Sequence, residues 1–161
     1  MANALPMRGF RSVSVAMNDP HDLERFVKAQ DPVIDQVRAE LRQGRKRSHW
    51  MWFVFPQIKG LGYSSTARFY AISSRAQAEA YLAHPVLGPR LLECTRLLTQ
   101  VEGRAIEDIL GYPDNLKLRS SLTLFAHATA DNGVFLKVLN EYFAGEFDAR
   151  TLELLSGAAA Q

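Results

Sequence analysis

His49-Trp50-Met51-Trp52-Phe53-Val54-Phe55-Pro56-Gln57 is the stretch on which the fold of this chain turns. Trp50 to Phe55 form an unbroken apolar run. Such a run suits a buried strand or a buried turn of helix, and periodicity does not separate the two. Ser48 as an N-cap and Pro56 as a terminator favour a short helix, whereas the two tryptophans and Val54 suit a strand.

The sequence on either side is helical. Leu23, Phe26 and Val27 make an apolar stripe at spacings of three and four. Asp31-Pro32 reads as a cap and a first-turn proline, and the helix carrying Val33, Ile34, Val37 and Leu41 ends at Gly44. Beyond the aromatic run, Ser64 or Ser65 caps a helix through Ile72, and Ser74 caps another over 75–83 that His84-Pro85 breaks. Further helices are predicted over 86–101, 105–110, 114–128, 132–143 and 149–155. Alternation of period two is nearly absent. The expectation is an all-α fold, a compact single-domain bundle of about seven to nine short helices. The domain is placed at residues 19–156, with a flexible leader over 1–18 and a loose tail over 157–161. Met17 is an alternative start, because the organised pattern begins at Asp19-Pro20.

Composition bounds the function classes. The chain has 161 residues, 47% apolar and 22% charged, and a formal net charge of +2. That supplies a core, and the charge is too mild to indicate nucleic acid or an anionic membrane. Cys94 is the one cysteine, so neither an internal disulfide nor a cysteine metal cluster is available, which fits a reducing cytoplasm. It sits in the apolar repeat around Leu91 and Leu98 and reads as a core residue. No apolar run reaches the length of a membrane span. His21, His49, His84 and His127 show no metal-ligand spacing, so no metal is expected. No Walker or dinucleotide motif is present, and no cofactor is expected. Arg38, Arg42, Arg45, Lys46 and Arg47 are explained by favourable charge at a helix C-terminus more simply than by nucleic acid.

The block Ser48–Tyr70 holds both tryptophans, together with Phe53, Phe55, Tyr63, Phe69 and Tyr70. Among them stand His49, Gln57, Ser64, Ser65 and Arg68. Flat apolar walls with a few polar handles are the material of a small-molecule pocket. The plain alternative is a core helix whose aromatics fill volume. Lys59-Gly60-Leu61-Gly62-Tyr63-Ser64-Ser65 opens a helix bearing Arg68, which reads as an anion site or as a glycine turn with a serine cap. On the helix from Asp114, Lys117 and Ser121 lie four apart on one side. A lysine-activated serine would need a desolvated lysine; a role for Lys117 in holding phosphate is simpler, and a solvated face with back-bonded serines simpler still.

At Asp22-Leu23-Glu24-Arg25-Phe26, His49–Gln57, Ala67-Arg68-Phe69-Tyr70-Ala71-Ile72, Ala80-Tyr81-Leu82-Ala83-His84-Pro85 and Lys117-Leu118-Arg119-Ser120-Ser121 the chain resembles a small bacterial family, the domain of unknown function 1810. The resemblance spans roughly residues 19–155 and implies a mainly α-helical domain, which supports the helical choice for 48–55. The Ser48-His49-aromatic start is similar, more weakly, to the Ser-Glu-His-aromatic segment of ADP-ribose-related N-glycosidases, but Arg47 and Ser48 stand before His49 and the glutamate is missing.

The expected function is binding of a nucleotide-like or phosphorylated aromatic small molecule. The candidate ligand-binding residues are His49, Trp50, Trp52, Gln57, Ser64, Arg68, Tyr70, Lys117 and Ser121. An N-glycosidase acting on NAD- or flavin-pathway nucleotides, with His49 as its acid or base, is one alternative. A protein-interaction module is the other.

Overall fold

A computed structural model describes residues 18–160, and among these the apolar stripes read from the sequence become ten helices. The expected leader, apart from Asn18, lies outside the described residues. In chain order the helices are α1 (Glu24–Gln30), α2 (Ile34–Gln43), α3 (Met51–Val54), α4 (Ser65–Phe69), α5 (Arg75–Ala83), α6 (Leu87–Leu98), α7 (Ile106–Leu110), α8 (Asp114–Ala126), α9 (Gly133–Phe143) and α10 (Ala149–Ala160). The described residues contain no strand; Ile58 and Ile72 make an isolated parallel bridge. The count exceeds seven to nine because α3 and α4 are separate helices of only four and five residues. No helix among the described residues is long and apolar enough to cross a membrane.

Local signals set most boundaries. Gly44 closes α2 in the left-handed region (φ 70°), and its amide reaches the Glu40 and Leu41 carbonyls. The Ser74 hydroxyl accepts the Gln77 amide at 3.1 Å and opens α5. His84 ends α5, and its Nδ1 then accepts the amides of Val86 and Leu87 at 3.1 and 3.2 Å, capping α6. The run Trp50–Phe55 resolves as helix: the Phe55 amide donates to the Met51 carbonyl at 3.1 Å. Ser48 is not its cap, contrary to expectation; the Ser48 hydroxyl donates to Glu40 at 2.6 Å. Helix α4 stops before Ile72 because the Ile72 backbone pairs with Gln57 and Lys59 instead. Helix α10 continues five residues past the predicted end at Leu155.

Helix α8 is the central post, against which α5, α7, α9 and α10 pack. Leu118, Leu122, Leu124 and Phe125 are buried along it. A file of rings crosses the interior: Phe26 meets Tyr81 edge-on at 5.2 Å, Tyr81 meets Phe125 at 5.2 Å, and Phe125 meets Phe135 at 6.2 Å. Each ring of this kind contributes about 1.5–3 kcal/mol by leaving water. Gln30 ties the file to α3, since its amide donates to the Phe53 carbonyl at 2.7 Å and to the Tyr81 hydroxyl at 3.0 Å. Burial raises the Tyr81 pKa, partly offset by the Gln30 bond, so the phenol stays protonated. Tyr81→Phe keeps the ring packing and removes one acceptor from Gln30. It is expected to cost about 1 kcal/mol in urea unfolding; an unchanged midpoint would show that the hydroxyl contributes nothing.

Candidate functional site

The chain folds back on itself between Gln57 and Ile72. The Ile72 amide donates to the Gln57 carbonyl and the Lys59 amide to the Ile72 carbonyl, both at 2.8 Å, so the two ends of the segment are tied together. Between them run the glycine loop and α4. Gly62 faces Ala67 so closely that a Cβ there would lie 2.6 Å from the alanine methyl. The Ser64 hydroxyl accepts the Ala67 amide at 3.1 Å. The glycine and the serine are thus used in building this turn.

Arg25 on α1 clamps the returning limb. It donates to the Phe69 carbonyl at 2.8 Å and the Ala71 carbonyl at 3.0 Å, while its guanidinium lies 4.4 Å from the Phe26 ring centroid. Burial lowers its pKa below the usual arginine value, opposed by Asp22 and Asp19. It remains a cation.

A cavity of about 490 Å³ opens inside this fold-back. Every residue lining it except Trp52 comes from the stretch 57–71. Half-buried Trp52 and Tyr70 supply aromatic wall, and Gln57, Lys59, Tyr63 and Arg68 supply polar groups. Lys59 and Arg68 belong to no ion pair among the described residues. Among the described residues, no carboxylate or imidazole lines the cavity. The cavity therefore pairs apolar walls with uncompensated positive charge.

Four of the expected ligand residues, Trp52, Gln57, Arg68 and Tyr70, are brought together around this one space. Lys117 reaches it indirectly: its Nζ lies 4.5 Å from the Trp52 ring centroid and 3.3 Å from Asp114 Oδ1, and Lys117 is not a lining residue. Ser64 stands on the adjoining turn, spent on its cap. The other three lie apart from the cavity. His49 is exposed and outside the lining. Trp50 is only 1% exposed, and its indole N–H donates to Glu40 at 2.9 Å, so it is a core residue. Ser121 is fully buried; its hydroxyl has no hydrogen-bond partner among the described residues and no bond to Lys117, so the two do not form a nucleophile pair.

Lys59 and Tyr63 line the cavity although neither was expected as a ligand residue. Their position in the glycine loop beside Arg68 was the available signal. Glu40 was also missed. It lies three residues after Val37 and one before Leu41, on the buried face of α2, and a carboxylate there must find partners. Burial alone would raise its pKa. Hydrogen bonds from Ser48, the Arg47 amide, Trp50 and Gln36 outweigh that and push it down to about 2. Cys94 is buried as expected, which, with Glu93 beside it, pushes the thiol up to about 12; it is not a nucleophile at neutral pH. The basic run is partly spent on ion pairs, Arg38 with Glu93 and Asp35, and Lys46 with Asp114.

Residues 20–155 match the family described as "Protein of unknown function (DUF1810)". The chain is also similar to the conserved hypothetical protein Rv1873 from Mycobacterium tuberculosis, known from a crystal structure. The two are 59% identical with a TM-score of 0.85, over 86% of this chain and 99% of that one. No curated protein matches the chain.

Proposed function

The chain belongs to the DUF1810 family, whose description assigns no activity, and we propose from the cavity itself that the protein binds an anionic, ring-bearing small molecule of the nucleotide or phosphorylated aromatic class. One observation carries the proposal: two cations without ion-pair partners among the described residues, Lys59 and Arg68, border a cavity of about 490 Å³ walled by Trp52 and Tyr70. An aromatic ring gains by burial and offset stacking against such walls. A phosphate or carboxylate gains from the guanidinium fork of Arg68 and the ammonium of Lys59. Gln57 offers both a donor and an acceptor to a ring edge.

Binding rather than turnover is the stronger reading. An N-glycosidase needs a group to protonate the leaving group or activate water within hydrogen-bond reach of substrate. His49 is not at the cavity, and among the described residues no carboxylate or imidazole lines it. A protein-interaction role draws on a different observation, the exposed rings of Tyr63 (78%), which lines the cavity, and Phe69 (58%) on α4.

A thermal-shift screen against nucleoside monophosphates and phosphorylated aromatic metabolites tests the proposal. A ligand at a hundred times its Kd stabilises the native state by about 2.7 kcal/mol, which raises the melting temperature. The shift should vanish in Trp52→Ala and shrink at least tenfold in apparent affinity in the Lys59→Ala, Arg68→Ala double variant, since each lost charged hydrogen bond costs roughly 1.5–3 kcal/mol. A wild-type protein that no such compound shifts at millimolar concentration would remove the binding reading and leave the interaction reading in its place.

A further inference from the structure

Lys117 caps the indole that walls the cavity without lining the cavity itself. Its Nζ stands 4.5 Å from the Trp52 ring centroid, and Asp114 holds it at 3.3 Å. Lys46 shares the same carboxylate at 2.9 Å and lies 5.2 Å from the Trp50 ring centroid. Two ammonium groups and one carboxylate leave one positive charge behind Trp52. The three side chains are little exposed, 9% for Lys46, 23% for Lys117 and 18% for Asp114. Solvent and salt therefore screen this charge less than they would on an open surface.

We infer that Lys117 is a specificity-determining residue of the ligand cavity, selecting a neutral, electron-rich ring such as a purine and rejecting a ring of fixed positive charge such as a pyridinium. The inference rests on the binding reading above. A bare indole face attracts cations through its quadrupole, so an uncapped Trp52 would favour a cationic ring. Here one face is already engaged by an ammonium, which draws indole density towards itself. A ring stacked on the opposite face at ~3.5 Å would stand roughly 8 Å from Nζ. At that distance a second positive charge is disfavoured by between roughly two- and thirtyfold, depending on the local dielectric. A neutral ring is not. Lys117 thus acts on the ring through Trp52, while Lys59 and Arg68 line the cavity and hold the anionic group.

Adenosine 5′-monophosphate and nicotinamide mononucleotide separate the two effects, because both carry a ribose 5′-phosphate and differ in the charge of the ring. Dissociation constants for both are measured by calorimetry in wild type, Lys117→Met, Lys117→Arg and Asp114→Asn. The wild type should prefer the adenine nucleotide. Lys117→Met should reduce that preference by about fivefold and Lys117→Arg should preserve it. Asp114→Asn removes the countercharge and should widen the preference, a change of opposite sign that does not depend on Lys117→Met folding. If the adenine nucleotide binds and its preference is the same in wild type, Lys117→Met and Asp114→Asn, the inference falls and the binding reading survives. If neither nucleotide binds wild type while the thermal-shift screen finds another anionic aromatic ligand, a purine preference is refuted on its own. If nothing binds at all, both fall together.

Discussion

Glu40→Ala is expected to lose about 3 kcal/mol of stability, read as a lower urea midpoint at an unchanged m-value. The buried carboxylate gathers three parts of the chain. Oε1 accepts the Arg47 amide at 2.8 Å, the Ser48 amide at 3.1 Å and the Trp50 indole at 2.9 Å; Oε2 accepts the Ser48 hydroxyl at 2.6 Å and the Gln36 amide at 2.8 Å. Alanine leaves these donors facing an apolar void, and a stranded buried donor costs about 1–3 kcal/mol. The acid limb of stability carries the same information. The folded carboxyl titrates near 2 against an ordinary value of 4.5. Between those values the unfolded chain holds more protons than the folded one. The contribution is therefore complete above about pH 4.5 and is lost as pH falls towards 2, on the order of 3 kcal/mol in all. Glu40→Gln should flatten that limb while disturbing shape least. A Glu40→Ala protein within about 0.5 kcal/mol of wild type would mean that the carboxylate does not organise residues 47–50.

Gly88→Ala should be damaging for a steric reason. A Cβ at Gly88 would lie 2.1 Å from the Leu82 carbonyl oxygen and 3.0 Å from its carbon. That oxygen is backbone of α5, so it cannot rotate away as a side chain can. The α5–α6 elbow must open, pulling His84 from the amides of Val86 and Leu87. A loss of about 3 kcal/mol or more is expected in thermal or urea unfolding. Gly133→Ala is the matched comparison. Nothing lies within 4 Å of a Cβ there, and the site opens α9. It should be neutral or stabilising by up to about 1 kcal/mol. Equal behaviour of the two variants would refute the elbow argument.

The helical class was legible because most helices carry their own punctuation. Gly44 and Ser74 stop and start helices as their chemistry demands, and the stripe Ile34, Val37, Leu41 is buried as its spacing requires. Residues 48–55 were harder. Trp50 and Trp52 are the same residue two positions apart, the first preceding α3 as its N-cap and the second inside it. One faces Glu40 and the core, while the other faces the cavity. A helix of four residues is too short for any stripe to reveal which is which. The cavity was legible as a neighbourhood, since four of its lining residues, Trp52, Gln57, Arg68 and Tyr70, lie close together in sequence. Its charge relations were not. Asp114 binds one lysine from the loop after α2 and one from α8 itself, and the Trp52 partner of Lys117 comes from a distant segment, so spacing along α8 pointed to Ser121 instead.

The fold-back at Ile58 and Ile72 has an evolutionary side. Because a single contiguous stretch of chain furnishes all but one of the residues lining the hollow, substitutions at its exposed positions can change the lining while the ring file of Phe26, Tyr81, Phe125 and Phe135 stays as it is. Ile58 and Ile72 anchor the stretch in the core and Tyr70 packs on Phe26 at 5.8 Å, so the positions open to change without disturbing the interior are the exposed ones, Lys59, Tyr63 and Arg68.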